Sequence, residues 1–299
     1  MGREEVSFFS DGVRCAVRLF RPSDRTGPVP CVVLGPGLSC VRDQRLDEFA
    51  QRFAGAGFVA LAFDYRYFGA SDGEPRSLMS AGRQRADFRA ALAFARSQDG
   101  VDPGRIAIWG FSLGGGHVQS VAMREPGVAA AICVAPVVDG VRSLLYIGGP
   151  RHLARLALAG SRDGLRAVRG AEPYRIPAAG PPGSLSVLNS PGSLPGFESI
   201  TSPGSGWRNE LCARAALAPP YRLAGKAGRI ECPVLYCLTE EDDVNPPSLG
   251  KRAARNAPQG ELCLYPGGHF DPFLGETFEL MVADQVDFLR RHLDGEASG

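Results

Sequence analysis

Short apolar runs alternate with segments of helical periodicity along most of the 299 residues. Glu5 to Ser10 and Val13 to Phe20 alternate around Ser10-Asp11-Gly12, which predicts an opening β-hairpin. Continuous apolar runs predict buried strands at about 30–34, 58–63, 105–109, 128–135, 233–238 and 261–265. Helical spacing predicts helices at about 43–56, 81–97, 113–123, 247–256 and 277–293. This alternation is typical of an α/β protein with a mostly parallel, twisted sheet flanked by helices.

The alternation stops at Pro136 and returns near residue 229. Between these points, Val141 to Arg169 has the pattern of a helix, and Pro177 to Gly206 is dense in Pro, Gly and Ser. A stretch of the second kind inside a domain is usually a functional loop or lid, or disordered. We therefore predict one sheet domain, residues 1–136 and 229–299, that carries an inserted helical cap or lid, residues 137–228, named the cap segment below.

Composition narrows the class of protein. With 44% hydrophobic residues, 22% charged residues and a net charge near +1, the chain reads as an ordinary globular protein, and no basic excess points to nucleic acid or an anionic membrane. Neither a signal-peptide pattern nor a run of 18 apolar residues occurs, so a cytoplasmic location is expected. The eight cysteines include no Cys-x2-Cys pair, which favours reduced structural thiols over a zinc site. No metal or organic cofactor is expected.

The candidate nucleophile is Ser112, which lies in a Gly-x-Ser-x-Gly frame between a predicted strand and a predicted helix. A serine on a sharp strand-to-helix turn needs very small neighbours two residues away on either side, and Gly110 and Gly114 meet that need. The turn presents the hydroxyl above the sheet at the positive end of a helix. A tight turn holding an inert serine is the alternative.

A serine nucleophile needs a base, and the chain has only four histidines. His117 follows Ser112 on the same helix and is predicted to point away from it. His292 lies in the last turn of the terminal helix, and His152 belongs to the cap segment. His269 follows the last predicted strand in a glycine-rich loop, at the carboxyl edge of the sheet where ligands bind. His269 is therefore the predicted base.

The carboxylate that orients the base should also follow a strand. Residues 240–243 supply four consecutive carboxylates after the strand that ends near Leu238, and a solvated acidic turn accounts for most of them. Asp242 is the predicted acid, with Asp243 as its main competitor. Nucleophile, acid and base then occur in the chain order Ser, Asp, His.

That order, together with the serine turn and the cap segment, resembles the α/β-hydrolase fold family from about Val6 to Leu293. The resemblance supports Asp242 through the spacing to Pro246. It implies an oxyanion hole formed by the backbone N–H groups of Leu38 and Leu113. Pro36-Gly37-Leu38 stands where that family usually has a His-Gly turn, but a backbone donor does not depend on its side chain.

The segment from Phe63 to Arg76 is similar to a loop of the X-prolyl dipeptidyl-peptidase type and of fungal polyketide-associated hydrolases and acyltransferases, and Trp207-Arg208-Asn209-Glu210 fits the same group. Tyr65, Trp207 and His152 are the candidate substrate contacts. For Tyr65, Arg66 and Arg76, a loop held together by cation–π and hydrogen-bonded contacts is the favoured alternative.

The first part of the cap segment, from Val141 to Arg175, contains seven arginines, at 142, 151, 155, 162, 166, 169 and 175. A solvated helix face explains them, or they bind an acidic partner such as an acyl-carrier protein or an anionic group of the substrate. Apolar residues in the same stretch either line an acyl pocket or form the core of the cap. A homodimer is a further hypothesis.

Together these features predict a serine hydrolase that cleaves a small-molecule ester or thioester through an acyl-enzyme. Three alternatives stay open: acyl transfer or cyclisation on the same acyl-enzyme, peptidase activity at a prolyl bond, and a binding protein that keeps the fold without turnover.

Overall fold

Ten strands and seven helices occur in the part of the chain that the computed structural model describes, residues 2–23, 27–217 and 221–294. The strands are β1 (Gly2–Ser10), β2 (Val13–Arg21), β3 (Val29–Gly35), β4 (Val59–Phe63), β5 (Val101–Phe111), β6 (Ala130–Val134), β7 (Arg175–Ile176), β8 (Leu211–Cys212), β9 (Val234–Thr239) and β10 (Gly260–Tyr265). The helices are α1 (Leu46–Gly55), α2 (Ala81–Arg96), α3 (Leu113–Ala122), α4 (Gly140–Val168), α5 (Ser193–Ile200), α6 (Pro247–Asn256) and α7 (Gly275–Leu293). Short 3₁₀ helices cover Ala213–Leu217, Ala224–Arg229 and Asp271–Phe273.

Eight strands form one sheet in the order β1-β2-β4-β3-β5-β6-β9-β10. The strands from β4 to β10 in this order run parallel, and β2 is antiparallel to both β1 and β4. Helices cover both faces, which is why β3, β4, β6 and β9 are buried along their whole length and read as continuous apolar runs in the sequence. The predicted α/β fold is confirmed.

The parallel strands end at a common edge. Gly35 at the end of β3 pairs with Gly110 of β5, and Phe111 pairs with Val134 at the end of β6. The loops that leave these strands, and those that leave β9 and β10, therefore start next to one another. This edge is where a parallel sheet forms a ligand crevice.

The cap segment lies between β6 and β9, and none of its described residues adds a strand to the large sheet. Its long helix α4 is interrupted at Gly149, whose backbone is non-helical, and Pro150 begins the second half, where its fixed φ suits a first helical position. A two-stranded ribbon of β7 and β8 and the helix α5 follow, and neither element was predicted from the sequence. Leu156, Ala159, Ile176 and Ala213 form a small core of the segment's own.

All eight cysteines are free, and most are buried. Burial raises the pKa of the Cys40 thiol to about 12, so this thiol, which lies in a loop at the carboxyl edge of the sheet, is protonated at neutral pH. Within the described residues, no helix combines the length and the apolar character that crossing a bilayer requires.

Candidate active site

Ser112 occupies the turn between β5 and α3 with a backbone φ of 54° and ψ of −115°. This strained conformation brings neighbouring backbones into contact. A Cβ atom on Gly114 would lie 2.5 Å from the carbonyl oxygens of Gly35 and Pro36, and one on Gly110 would overlap the backbone of Gly114. The glycine frame is therefore a packing requirement of the turn. The Ser112 carbonyl accepts the N–H groups of Gly116 and Val137, which holds the turn in place.

His269 follows β10 and lies directly above Ser112. Its Nε2 is 3.0 Å from Ser112 Oγ, and its Nδ1 is 2.8 Å from Asp242 Oδ2. An ionised carboxylate only accepts hydrogen bonds, so Nδ1 carries the proton and Nε2 accepts from the serine hydroxyl. The three residues predicted from the sequence thus form one hydrogen-bonded chain.

Asp242 follows β9 and is held from two sides. Its Oδ1 accepts the backbone N–H groups of Val244 and Asn245 at 2.8 and 2.7 Å, while Oδ2 faces His269. Asp243 points elsewhere and accepts the N–H of Gly192 at 2.7 Å. The geometry therefore brings Asp242, and not its competitor, to the imidazole.

The hydrogen-bonded chain is shielded from water. Ser112, Asp242 and His269 expose 4%, 3% and 2% of their surface. The rings of Phe111 and Phe270 pack against the imidazole with centroids 4.9 and 5.1 Å away. Hydrogen bonds between buried groups are stronger than those in water, because the surroundings are less polarisable.

Leu38 and Leu113 line the same cavity as Ser112. Leu113 is the first residue of α3, so its N–H has no partner within the helix and lies at the positive end of the helix dipole. Leu38 lies in the turn after β3, which the bond from Cys40 N–H to the Gly37 carbonyl closes. The two backbone positions predicted to stabilise an oxyanion therefore flank Ser112.

A cavity of about 180 Å³ opens beside Ser112, between the sheet edge and the cap segment. Most of its lining is apolar. Apolar side chains in the wall include Leu38, Met79, Leu113, Val137, Val141, Leu144, Ile147, Leu153, Leu156, Val187, Leu188, Leu211 and Val244. Besides Ser112, the polar side chains that described residues contribute to the wall are those of Ser143, Asn245 and Tyr221. The cavity therefore suits an apolar part of a ligand.

The three candidate substrate contacts lie outside the lining of this cavity. Tyr65 is buried against Phe63 and His117. Trp207 stacks on Phe197 with ring centroids 5.1 Å apart and donates its indole N–H to Ser39 Oγ.

His152 is buried behind the cavity wall, with Nε2 3.1 Å from the Val187 carbonyl, and its burial lowers its pKa. Its neighbour Leu153 lines the cavity instead. All three side chains thus contact other parts of the chain outside the lining of the cavity beside Ser112.

The loop around Arg66 and Arg76 is clamped from within. Arg66 binds Asp87, Ser10 and Asp11, and Arg76 donates to the carbonyl oxygens of Gly69 and Ser71. These contacts agree with the alternative that the sequence favoured for this loop.

His117 is buried on α3 and bonds to Gln84 and Tyr221, so it faces away from Ser112 as expected. His292 is partly buried and pairs with Glu261. The polar lining residues Ser143, Asn245 and Tyr221 were not predicted. Asn245 stands three residues after Asp242 and could have been noted, whereas Ser143 and Tyr221 carry no local signal.

A mostly parallel sheet with a serine turn after β5, an aspartate after β9 and a histidine after β10 defines the α/β-hydrolase fold class. Comparison with known proteins agrees with this class and identifies a narrower family within it. The chain belongs to the X-Pro dipeptidyl-peptidase (S15) family, whose model matches residues 11–168. The branch predicted from the sequence is confirmed.

Relatives that match this chain over nearly their whole length have names that point to different activities. The quorum-quenching protein AidA of Acinetobacter baumannii (strain MDR-ZJ06) is 39% identical, with 96% of this chain and 94% of that protein covered. Polyketide transferase grgF of Penicillium sp. is 28% identical, with 97% of each chain covered. The crystal structure of the α/β hydrolase GrgF from Penicillium sp. sh18 superposes with a TM-score of 0.82 at 26% identity, covering 99% of this chain and 100% of that one. Hydrolase-type and acyl-transferase-type relatives both support an enzyme of the α/β-hydrolase kind.

Proposed function

We propose that the protein is a serine hydrolase that cleaves an ester or thioester of an aliphatic acyl group through an acyl-enzyme. One observation carries the proposal: Ser112 Oγ, at 3.0 Å from His269 Nε2, stands at an apolar cavity, and His269 Nδ1 is 2.8 Å from Asp242. Nucleophile, base and orienting carboxylate are thus within hydrogen-bonding reach of one another.

In the first half-reaction, Ser112 Oγ attacks the carbonyl carbon while its proton moves to His269 Nε2. Asp242 keeps the imidazole in the required tautomer and stabilises the imidazolium that forms. The oxyanion receives the N–H groups of Leu38 and Leu113, and one such bond typically lowers the barrier by about 3 kcal/mol. His269 then protonates the leaving group, whose bond to the carbonyl carbon breaks.

In the second half-reaction, water gives a proton to His269 and attacks the acyl carbon, and the acid leaves as Ser112 regains its proton. The apolar walls around Leu144 and Leu156 hold the acyl chain throughout. Burial of the hydrogen-bonded chain strengthens each charge interaction on which these steps depend.

The test uses p-nitrophenyl esters and acyl thioesters of graded chain length. The wild-type protein should release acid and be labelled on Ser112 by a fluorophosphonate. Ser112→Ala should lose both, with a fall in kcat of about 10³-fold or more. Ser120→Ala changes a serine on the same helix that binds Arg124, and it should keep the activity on p-nitrophenyl esters. Turnover that survives Ser112→Ala would refute the proposal.

Lactones that carry an acyl chain belong in the same panel. The relative described as a quorum-quenching protein suggests an acylated signal molecule as one substrate to test. A cyclic ester would undergo the same attack by Ser112. The bond from the carbonyl carbon to the ring oxygen would break, and that oxygen would remain on the acyl chain as a hydroxyl group.

The family description raises prolyl peptidase activity as an alternative. A dipeptidyl-peptidase must accept the charged amino terminus of its substrate, and a buried charge needs a partner. Among the described residues that line the cavity, none is an aspartate or glutamate. We therefore favour an acyl substrate, and a chromogenic aminoacyl-prolyl anilide should not be cleaved.

Acyl transfer from an anionic carrier is the second candidate, and one surface favours it. The arginines of α4 are dispersed: Arg142 faces Asp139, Arg155 donates to the Gly183 carbonyl, and Arg162 stacks on Tyr174. A separate basic groove of about 930 Å³ shares Met79, Ala81 and Tyr221 with the cavity. Its cationic residues are Arg83, Arg85, Arg124, Arg214, Arg222 and Lys226, and its one acidic residue among those described is Glu74.

Such a groove complements the phosphates of a carrier thiol or an acidic carrier protein. Its role is tested with one acyl group on two leaving groups, p-nitrophenol and a phosphate-bearing thiol. The double variant Arg83→Ala with Arg222→Ala should raise KM for the thioester but not KM for the p-nitrophenyl ester. Arg169→Ala, on the cap surface, should leave both KM values unchanged. Adding an alcohol or amine acceptor and comparing acceptor adduct with free acid distinguishes transfer from hydrolysis.

A further inference from the structure

Two buried polar side chains interrupt the apolar wall of the cavity. Ser143 comes from the first turn of α4, and Asn245 comes from the loop after Asp242. Each exposes only 5% of its surface. Polar groups in an apolar wall cost free energy unless they are hydrogen-bonded, so their partners decide what they offer to a substrate.

The hydrogen bonds of this pair fix the direction of each group. Asn245 Nδ2 donates to the Ala135 carbonyl at 2.9 Å, which sets the orientation of the amide. Its Oδ1 therefore faces Ser143 and accepts the Ser143 hydroxyl at 2.8 Å. The only proton of that hydroxyl is used, and Ser143 Oγ keeps the capacity to accept a further hydrogen bond.

The pair is also rigidly connected to the reaction centre. The backbone N–H of Asn245 donates to Asp242 Oδ1 at 2.7 Å. Ala135, which binds the Asn245 amide, stands two residues before Val137, whose N–H donates to the Ser112 carbonyl at 2.9 Å. The position of Ser143 Oγ relative to Ser112 is thus set through short, bonded paths.

We propose that Ser143, oriented by Asn245, is a specificity-determining residue that accepts a hydrogen bond from a hydroxyl or amide N–H on the acyl part of the substrate. This inference rests on the proposed acyl hydrolase function. An unsubstituted chain would place methylene groups against Ser143 Oγ and displace water from it without replacing the hydrogen bond. A chain with a donor at the matching position avoids that cost.

A structural role is the competing explanation, since the bond between Ser143 and Asn245 also joins the cap segment to the sheet domain. The two roles make different predictions. Loss of a structural bridge would affect every substrate equally, whereas loss of an acceptor affects only substrates that donate to it. The informative quantity is therefore a ratio between matched substrates.

The experiment compares acyl thioesters of one chain length that are unsubstituted, hydroxylated at successive positions, or methylated on that hydroxyl. For one position, the wild-type kcat/KM should favour the hydroxylated chain over both others by about 3- to 10-fold, the range that one net hydrogen bond provides. Ser143→Ala should bring this ratio close to one. Ser143→Thr, which keeps the hydroxyl, should retain the wild-type ratio. Ser199→Ala, an exposed serine on α5, serves as a control.

A ratio that Ser143→Ala leaves unchanged, or an equal fall for all substrates, would overturn the proposal. Binding of the same substrates to Ser112→Ala, measured by calorimetry, gives the ratio without chemistry. If the chains bind with the expected ratio but none is turned over by the wild type, the hydrolase proposal fails while the subsite stands. If plain chains are hydrolysed and no position gives a preference, only the subsite fails.

Discussion

Asp242 and Asp243 are adjacent in the chain, yet they hold different parts of the molecule. The carboxylate of Asp242 accepts His269 Nδ1–H at 2.8 Å, and that of Asp243 accepts the N–H of Gly192 in the cap segment at 2.7 Å. Tyr146 on α4 donates to the Asp242 carbonyl at 3.2 Å. The loop after β9 therefore orients the imidazole and fastens the cap segment at the same point.

This division predicts different effects for two conservative substitutions. Asp242→Asn removes the charge beside His269 and favours the wrong tautomer, so kcat for a p-nitrophenyl ester should fall by about 10³- to 10⁴-fold. Asp243→Asn keeps an oxygen that can accept the Gly192 N–H, so its kcat should fall by less than about 10-fold. Steady-state kinetics on both variants decides the matter, and a larger loss in Asp243→Asn would contradict the assignment.

The serine turn predicts a steric penalty at Gly114. Adding a Cβ atom there brings it against the carbonyl oxygens of Gly35 and Pro36, which belong to backbone and cannot move aside cheaply. Gly114→Ala should lower the free energy of unfolding by about 1–3 kcal/mol in a urea titration.

Gly82 provides the matched comparison, because a Cβ there meets nothing within 4 Å on the exposed start of α2. Gly82→Ala should raise the free energy of unfolding by about 0.5–1 kcal/mol. Equal effects of the two substitutions would show that the turn is not tightly packed.

The parts of the fold that sequence reasoning identified are those with a local cause. The interior strands are buried on both faces and leave continuous apolar runs, so β4 and β9 were placed to within about two residues. Ser112 and His269 were predicted to lie at the same edge of the sheet because glycine-rich turns after strands mark the carboxyl edge of a parallel sheet, and the structure places them 3.0 Å apart there. The choice between Asp242 and Asp243 depended on resemblance, since both follow the same strand.

Features of the cap segment depend on contacts between distant parts of the chain. Ser143 and Asn245 are 102 residues apart and meet only when α4 packs on the loop after β9. Trp207 was predicted as a substrate contact, and it stacks on Phe197 outside the lining of the cavity beside Ser112. The composition of the Pro- and Gly-rich stretch likewise indicated a loop. Part of it instead forms the helix α5, in which Phe197 packs against Phe270.

The size of the cavity predicts a limit on acyl chain length. Ala216 lies in its wall, next to the small core of the cap segment around Leu156. Ala216→Leu adds three carbon atoms to a space of about 180 Å³. The ratio of kcat/KM for decanoyl to acetyl esters should fall by about 10-fold or more, as a few kcal/mol of lost burial implies. A ratio unaffected by the substitution would place the acyl chain outside this cavity.

A buried imidazole on α3 makes stability depend on pH. His117 accepts the Tyr221 hydroxyl at Nδ1 and donates from Nε2 to Gln84 Oε1, since an amide oxygen can only accept. Burial, together with the nearby charge of Arg85, lowers the pKa of His117 to about 3. The imidazole is therefore neutral in the folded protein and becomes protonated on unfolding below its ordinary pKa of about 6.5.

Between pH 6.5 and about 3, the unfolded chain therefore binds more protons at residue 117 than the folded chain does. The stability contribution of the neutral imidazole is complete above pH 6.5 and is lost as the pH falls, with a slope of about 1.4 kcal/mol per unit. Glutamine does not titrate, so His117→Gln should reduce the slope of the free energy of unfolding against pH by about 1.4 kcal/mol per unit between pH 4 and 6. Tyr221→Phe leaves the imidazole buried and should keep the wild-type slope. Identical slopes for the wild type and His117→Gln would show that this imidazole does not cause the pH dependence of stability.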